Sequence, residues 1–76
     1  MKDKIIQILA NIRPEFDFND HVNFIESGIL DSFDVVTLVT SLDEEFGISI
    51  DGTEILPENF STIGAIIQLL SKHNIQ

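Results

Sequence analysis

The sequence predicts an all-α fold: a small bundle of three to four helices with a long loop between the first two. Three observations carry this. Apolar residues recur at helical spacing in three separate stretches. Proline, glycine and N-cap residues fall at the ends of those stretches. The one alternating run, Ile48-Ser49-Ile50, is too short for a strand, has no partner run, and reads as extended loop.

Ile5, Ile8, Leu9 and Ile12 stand at i, i+3, i+4 and i+7, and Ile6 widens that face. Pro14 ends the pattern because the residue before a proline is driven out of the helical region. The first helix is therefore expected over residues 2–13. Residues 14–31 form the long connection. Phe16, Phe18, Val22, Phe24, Ile25, Ile29 and Leu30 require it to pack on the core, while Asn19, Asp20, Asn23, Ser27 and Gly28 break any regular period. Structured loops of this length are uncommon and often functional.

The second helix starts at Asp31 or Ser32, both good N-caps. Val35, Val36, Leu38, Val39, Leu42 and Phe46 form a wide apolar stripe, and Asp34 complements the helix dipole from the first turn. Gly47 stops the helix as its C′ residue. Asp51-Gly52 signals a turn, and residues 57–60 fit one short helical turn. Ser61 is the expected cap of the last helix. Ile63, Ile66, Ile67 and Leu70 form its buried face, Leu69 lies at the margin, and fraying is expected over residues 72–74. Helices this short need one another's apolar faces to be stable, so residues 1–76 make a single domain.

Size and composition narrow the function. A core built from 76 residues leaves about 3–5 kcal/mol of net stability, with little room for a walled active site. That weighs against an enzyme and toward a module on which other proteins act. With no cysteine, the chain has no disulfide, thiolate metal site or thiol nucleophile. The N-terminus lacks the pattern of a signal peptide, and no apolar run approaches the roughly 20 residues that span a bilayer. A soluble, cytoplasmic, monomeric protein is expected, with no direct membrane insertion.

Charge is more informative. The net charge is −9, and the four bases (Lys2, Lys4, Arg13, Lys72) lie near the ends. Between Pro14 and Ser71 there is no Lys or Arg, while twelve of the thirteen acids lie there. Nucleic acid is excluded as a partner because nothing there neutralises its phosphates. An anionic membrane surface is disfavoured likewise. Two readings remain: steering toward a protein with a basic patch, or charge kept for solubility.

The segment Gly28-Ile29-Leu30-Asp31-Ser32-Phe33-Asp34 places a hydroxyl at the start of a helix, directly after a structured loop. Free N–H groups and the positive dipole end would tolerate a phosphodiester there. The simpler alternative is that Ser32 or Asp31 is merely an N-cap.

The stretch GILDSFDVVTLVTSLDEEF, Gly28 to Phe46, resembles the acyl carrier protein family. The resemblance covers the Asp-Ser-hydrophobic centre, the Val-Val-x-Leu-Val stripe, the terminal Leu-Asp-Glu-Glu-Phe and the following Ile48-Ser49-Ile50, and extends over essentially the whole chain. It implies that a phosphopantetheinyl transferase, using Mg²⁺, moves a 4′-phosphopantetheine arm from coenzyme A to the Ser32 oxygen. The arm's thiol would hold an acyl or aminoacyl cargo as a thioester. The chain itself would supply no catalytic residue and no metal site. It also implies that Asp31, Asp34, Asp43, Glu44 and Glu45 face basic patches of partners, with Phe33 and Val36 as apolar contacts beside the arm. Those partners would be the transferase, an acyl- or aminoacyl-loading ligase, and downstream acyl-transfer enzymes. A cleft between the second and last helices could shelter an acyl chain.

Departures from the family's fatty-acid members put that cargo in doubt. Those members usually show Asp-Ser-Leu with a Glu and a Met further along the helix. Here Phe33 follows the serine, and Thr37 and Thr40 occupy the later positions. Leu30-Asp31-Ser32-Phe33 looks more like D-alanyl carrier proteins and other specialised carriers.

Other readings are weaker. Residues 43–54 have the length of a calcium-binding EF-hand loop, with Asp43, Glu45, Ser49, Asp51 and Glu54 at ligand positions. The fifth position is Gly47, however, and the glycine required at the sixth is Ile48. His21 and His73 lack metal-ligand spacing and read as solvated surface residues. A Ser-His-Asp hydrolase would need an oxyanion hole that so small a helical domain has no place for. The alternative from another class is an unmodified acidic adaptor that binds basic surfaces through the second helix.

Overall fold

The computed structural model describes residues 2–19 and 21–73. Helix α1 spans Lys2–Ile12, α2 Ser32–Phe46 and α3 Ile63–Lys72, with short 3₁₀ turns at Gly52–Glu54 and Pro57–Asn59. There is no strand among the described residues, and Ile48–Ile50 is extended as expected. The position of Asp20 and the fraying expected at Asn74 lie outside the described residues.

The apolar faces converge on one core. Ile5 and Leu9 of α1, Leu38 and Leu42 of α2, and Ile63, Ile66 and Leu70 of α3 are all fully buried, with Phe24 and Phe60 filling the space between. Leu69, expected at the margin, is buried as well. Gly47 adopts φ +63° and ends α2 with its N–H on the Asp43 carbonyl, a left-handed conformation in which a Cβ is strained.

The long loop follows the core as predicted, with one exception. Phe18 and Phe24 are buried and meet edge to face, with ring centroids 5.1 Å apart. Phe16 instead is 42% exposed, because the chain turns outward just after Pro14. The Asn23 side chain accepts from the N–H groups of Ile25 and Glu26, and Gly28 at φ +77° reverses the chain into Leu30. The Phe24 N–H donates to the Ser61 carbonyl and the Leu30 N–H to the Phe24 carbonyl. The first bond docks the loop beside the start of α3, and the second closes the loop on itself.

Two expectations change. The cap of α3 is Thr62, whose hydroxyl accepts from the Ala65 N–H at 3.0 Å; the Ser61 hydroxyl donates to the Glu58 carbonyl instead. His73 is not a free surface residue. Its Nε2 lies 3.0 Å from Glu54 Oε1 in a half-buried contact that ties the end of α3 to the first 3₁₀ turn. The pair is 19 residues apart, so no local pattern announces it.

Candidate functional site: the start of α2

Asp31, extended at φ −103°, is the N-cap of α2. Its Oδ1 accepts the Asp34 N–H at 2.9 Å, and Asp34 Oδ2 accepts the Asp31 N–H at 3.2 Å. This reciprocal capping box satisfies two N–H groups that a helix start would leave unpaired. The cap is therefore Asp31, and Ser32 is the first helical residue. The Ser32 hydroxyl is exposed and makes no hydrogen bond among the described residues.

Asp34 departs from its expected role as an exposed acid. It is only 9% exposed. Arg13, just past the end of α1, brings Nε to 3.0 Å and Nη2 to 2.9 Å of Asp34 Oδ2. The same guanidinium lies 3.7 Å from carboxylate oxygens of Asp31 and Glu15. The hydrogen bond to Asp34, and then that residue's charge, raise the Arg13 pKa above its ordinary value. Asp34 therefore braces the helix start and is withdrawn from any contact surface. Asp43 is partly withdrawn too, since its Oδ1 accepts the Ile50 N–H at 3.0 Å and holds the extended segment after α2.

A cleft of about 320 Å³ opens beside Ser32. Ile25 and Leu30 of the loop, Val35 and Val36 of α2, and Ile55 and Pro57 form its apolar walls, and Asp31 and Ser32 also line it. No residue of α3 lines this cleft, so it lies elsewhere than the α2–last-helix position expected. Pro57 opens the short helical turn expected over residues 57–60, while Ile55 and Leu56 carry no signal in the sequence; only the fold brings Ile55 and Pro57 across from α2. A larger groove, about 450 Å³, lies between α1 and α2 and is lined mainly by polar side chains, including Lys4, Gln7 and Glu44. Its walls do not include Ser32.

An exposed primary hydroxyl with no competing bond, at a helix N-terminus and beside an apolar cleft, fits a long phosphodiester-linked arm. Comparison with known proteins agrees. The chain matches the family described as "Phosphopantetheine attachment site" over residues 3–70. It belongs to this family. Its cofactor is accordingly 4′-phosphopantetheine, and its function is that of a carrier protein. A D-alanyl carrier protein of Bacillus velezensis is 29% identical over 73 residues, covering 93% of this chain and 94% of the relative. An acyl carrier protein of Buchnera aphidicola is 37% identical over 73 residues, covering 96% and 88%. The fold is similar to a chain in the crystal structure of Bradyrhizobium japonicum glycine:[carrier protein] ligase complexed with glycylated carrier protein. There the TM-score is 0.77 at 24% identity, over 90% of this chain and 95% of that one. A second structure of that ligase, with its cognate carrier protein and a glycyl adenylate analogue, matches with TM-score 0.70 at 25% identity, over 93% and 91%.

On the carrier's outer face, Phe33 is 83% and Val36 57% exposed, far more than large apolar side chains on a monomer need be. Thr37 and Thr40 follow along the exposed face, their hydroxyls turned back onto the carbonyls of Phe33 and Val36. Charge returns only at Glu44 and Glu45, about 18 Å from Ser32 at 1.5 Å per residue. Glu45 is engaged by Lys4 at 3.5 Å. Leu56, 42% exposed, lies next in the chain to Ile55 and Pro57 of the cleft wall.

Proposed function

We propose that Ser32 is the attachment point of the 4′-phosphopantetheine arm and that the cargo is a small aminoacyl group loaded by an adenylating ligase. The observation that carries the first half is the division of labour at the helix start. Asp31 performs the capping, which leaves the Ser32 oxygen exposed and uncommitted. In the attachment reaction Ser32 Oγ gives up its proton and forms a bond to the phosphorus nearer the arm in coenzyme A. The pyrophosphate bond breaks and adenosine 3′,5′-bisphosphate leaves. The bound arm supplies the thiol on which cargo is held as a thioester. The chain's own residues hold the attachment point, shield the arm's first atoms and display an address.

The preference for a small cargo rests on the core and the relatives together. Leu38, Leu42, Phe60, Ile63 and Ile66 are all 0% exposed, and the cleft lies at the surface beside Ser32. Leu30-Asp31-Ser32-Phe33 resembles the motif of D-alanyl carriers, a D-alanyl carrier protein is among the similar proteins, and the second ligase complex pairs a similar carrier with a glycine ligase. The partners in this reading are a phosphopantetheinyl transferase, the loading ligase, and acyl-transfer enzymes whose basic patches meet Asp31, Asp43, Glu44 and Glu45 around the apolar contacts Phe33 and Val36. The setting is the cytoplasm, where coenzyme A and ATP are at hand, and the carrier works as a monomer. Among the described residues no helix is long and apolar enough to cross a membrane.

The test is intact-protein mass after incubation with coenzyme A, Mg²⁺ and a broad-specificity transferase. Wild type should gain one arm and Ser32→Ala none. A wild type that gains nothing with an active transferase, yet still captures its partner, is the unmodified adaptor. An arm found on Ser32→Ala would move the attachment to another residue.

A further inference from the structure

We propose that Arg13 is a positioning residue for the reaction at Ser32, acting through Asp34 from the neighbouring helix. This rests on the attachment reading above and adds a residue outside α2 to it.

The Ser32 side chain has no hydrogen bond of its own among the described residues, so its place in the site, the position of its Cβ, is set by the backbone at 31–34. That backbone is held by the capping box, and both halves of the box are carboxylates. Two carboxylates held this close repel, and one of them is nearly buried, which is costly without a counter-charge. Arg13 supplies it. Its Nε and Nη2 both reach Asp34 Oδ2, the oxygen that also accepts the Asp31 N–H. The guanidinium thus fixes the atom through which the box closes, and its 3.7 Å approach to Asp31 steadies the other carboxylate.

The geometry also spans the long loop. Arg13 stands where the loop leaves α1, and Asp31 where it enters α2. One side chain therefore joins the two ends of the connection that delivers Ser32. A lysine would keep the charge but not the planar fork that offers two donors to one oxygen.

The experiment measures arm transfer by intact mass on wild type, Arg13→Gln, Arg13→Lys, Asp34→Asn, the double variant Arg13→Gln/Asp34→Asn, and the core control Ile66→Val. Amide exchange at the N–H groups of Asp31 and Asp34 is followed alongside. Arg13→Gln should lower kcat on the order of 10-fold, since small misplacements of a nucleophile are expensive. KM should hold, because Phe33, Val36, Glu44 and Glu45 are untouched. Arg13→Lys should recover part of the loss. The double variant should be no worse than the worse single, as expected for two members of one device. Exchange at Asp31 and Asp34 should quicken in Arg13→Gln. Ile66→Val, destabilised but with the clamp intact, should keep wild-type kcat. A wild-type kcat in Arg13→Gln, or an equal loss in Ile66→Val, would overturn the proposal. A wild type that accepts no arm sinks the attachment reading itself, a different outcome from either.

Discussion

Ser32 and Asp31 are adjacent polar residues at one helix start; Asp31 caps the helix, and Ser32 is exposed and carries the arm in the proposed reading. Replacing each by alanine separates those jobs. The Ser32 side chain is exposed and unbonded among the described residues, so Ser32→Ala buries nothing and breaks nothing. Alanine is the slightly better helix former, and the net change should stay within about 0.5 kcal/mol. Asp31→Ala removes the acceptor of the 2.9 Å bond from the Asp34 N–H. Losing such a cap costs about 1 kcal/mol, within a range of roughly 0.5–2. In a domain this small, 1 kcal/mol lowers Tm by about 4–8 °C. From a net stability of about 3–5 kcal/mol the Asp31→Ala protein remains predominantly folded at room temperature, so both variants can be compared. Thermal unfolding by far-ultraviolet circular dichroism reads the difference directly. Ser32→Ala should melt within a few degrees of wild type and accept no arm; Asp31→Ala should melt clearly lower and still accept one. If Ser32→Ala melts as low as Asp31→Ala, the hydroxyl is itself a structural cap, and the argument that it is held free for chemistry collapses.

Three further outcomes follow from particular contacts. Association with a basic partner should slow on the order of 10-fold between low and high salt, and stopped-flow rates for Glu44→Gln/Glu45→Gln should lose most of that dependence; a salt-independent wild type would remove electrostatic steering from the account. Gly47→Ala forces a Cβ into φ +63° and should cost about 1–2 kcal/mol in denaturant unfolding, even though nothing lies within 4 Å of the added atom. Asp51 is held below its ordinary value of 3.8 by bonds from the Thr53 N–H and hydroxyl. A carboxylate depressed in the folded state stabilises above its unfolded pKa and loses that contribution as pH falls through the folded value. The melting difference between wild type and Asp51→Ala should therefore be steady near neutrality and narrow only below about pH 3.8; a gap that narrows already between pH 7 and pH 5 would refute it.

What was legible in the sequence was whatever is encoded locally. The three helices follow from 3.6-residue periodicity, Pro14 and Gly47, and the helix bounds agree within a residue. The choice between Asp31 and Ser32 as cap was ambiguous because both side chains suit the position. Only the reciprocal Asp34 contact resolves it. Asp34 was misjudged for a related reason. An acid in a first turn is normally solvated beside the dipole, and its burial depends on Arg13, 21 residues earlier. His73 and Glu54, and the far wall of the cleft at Ile55 and Pro57, were equally out of reach of local patterns. Phe16 went wrong in the other direction: its apolar character argued for the core, while the turn after Pro14 carries it outward.

These misreadings share a cause that bears on function. Asp34, His73, Ile55 and Pro57 make their contacts across elements, and those of Asp34, Ile55 and Pro57 converge on the start of α2 or on the cleft beside it. This carrier has a surface cleft, not a walled site, beside Ser32. It can hold one attachment point in place, line a few ångströms of the arm's path, and present a face. Arg13 and Asp34 serve the first need, Ile25, Val35, Ile55 and Pro57 the second, and Phe33, Val36 and Glu44 the third. The acids divide accordingly. Asp34 is bound inward and stabilises the fold, Asp43 does so with one oxygen, while Asp31 and Glu44 remain at the surface. The strongly negative composition is therefore not one uniform address. A partner reading this helix meets Asp31 and the apolar pair Phe33 and Val36 next to the arm, and further carboxylates about three to four turns away, so its own surface should combine an apolar entrance for the arm with basic groups at both places.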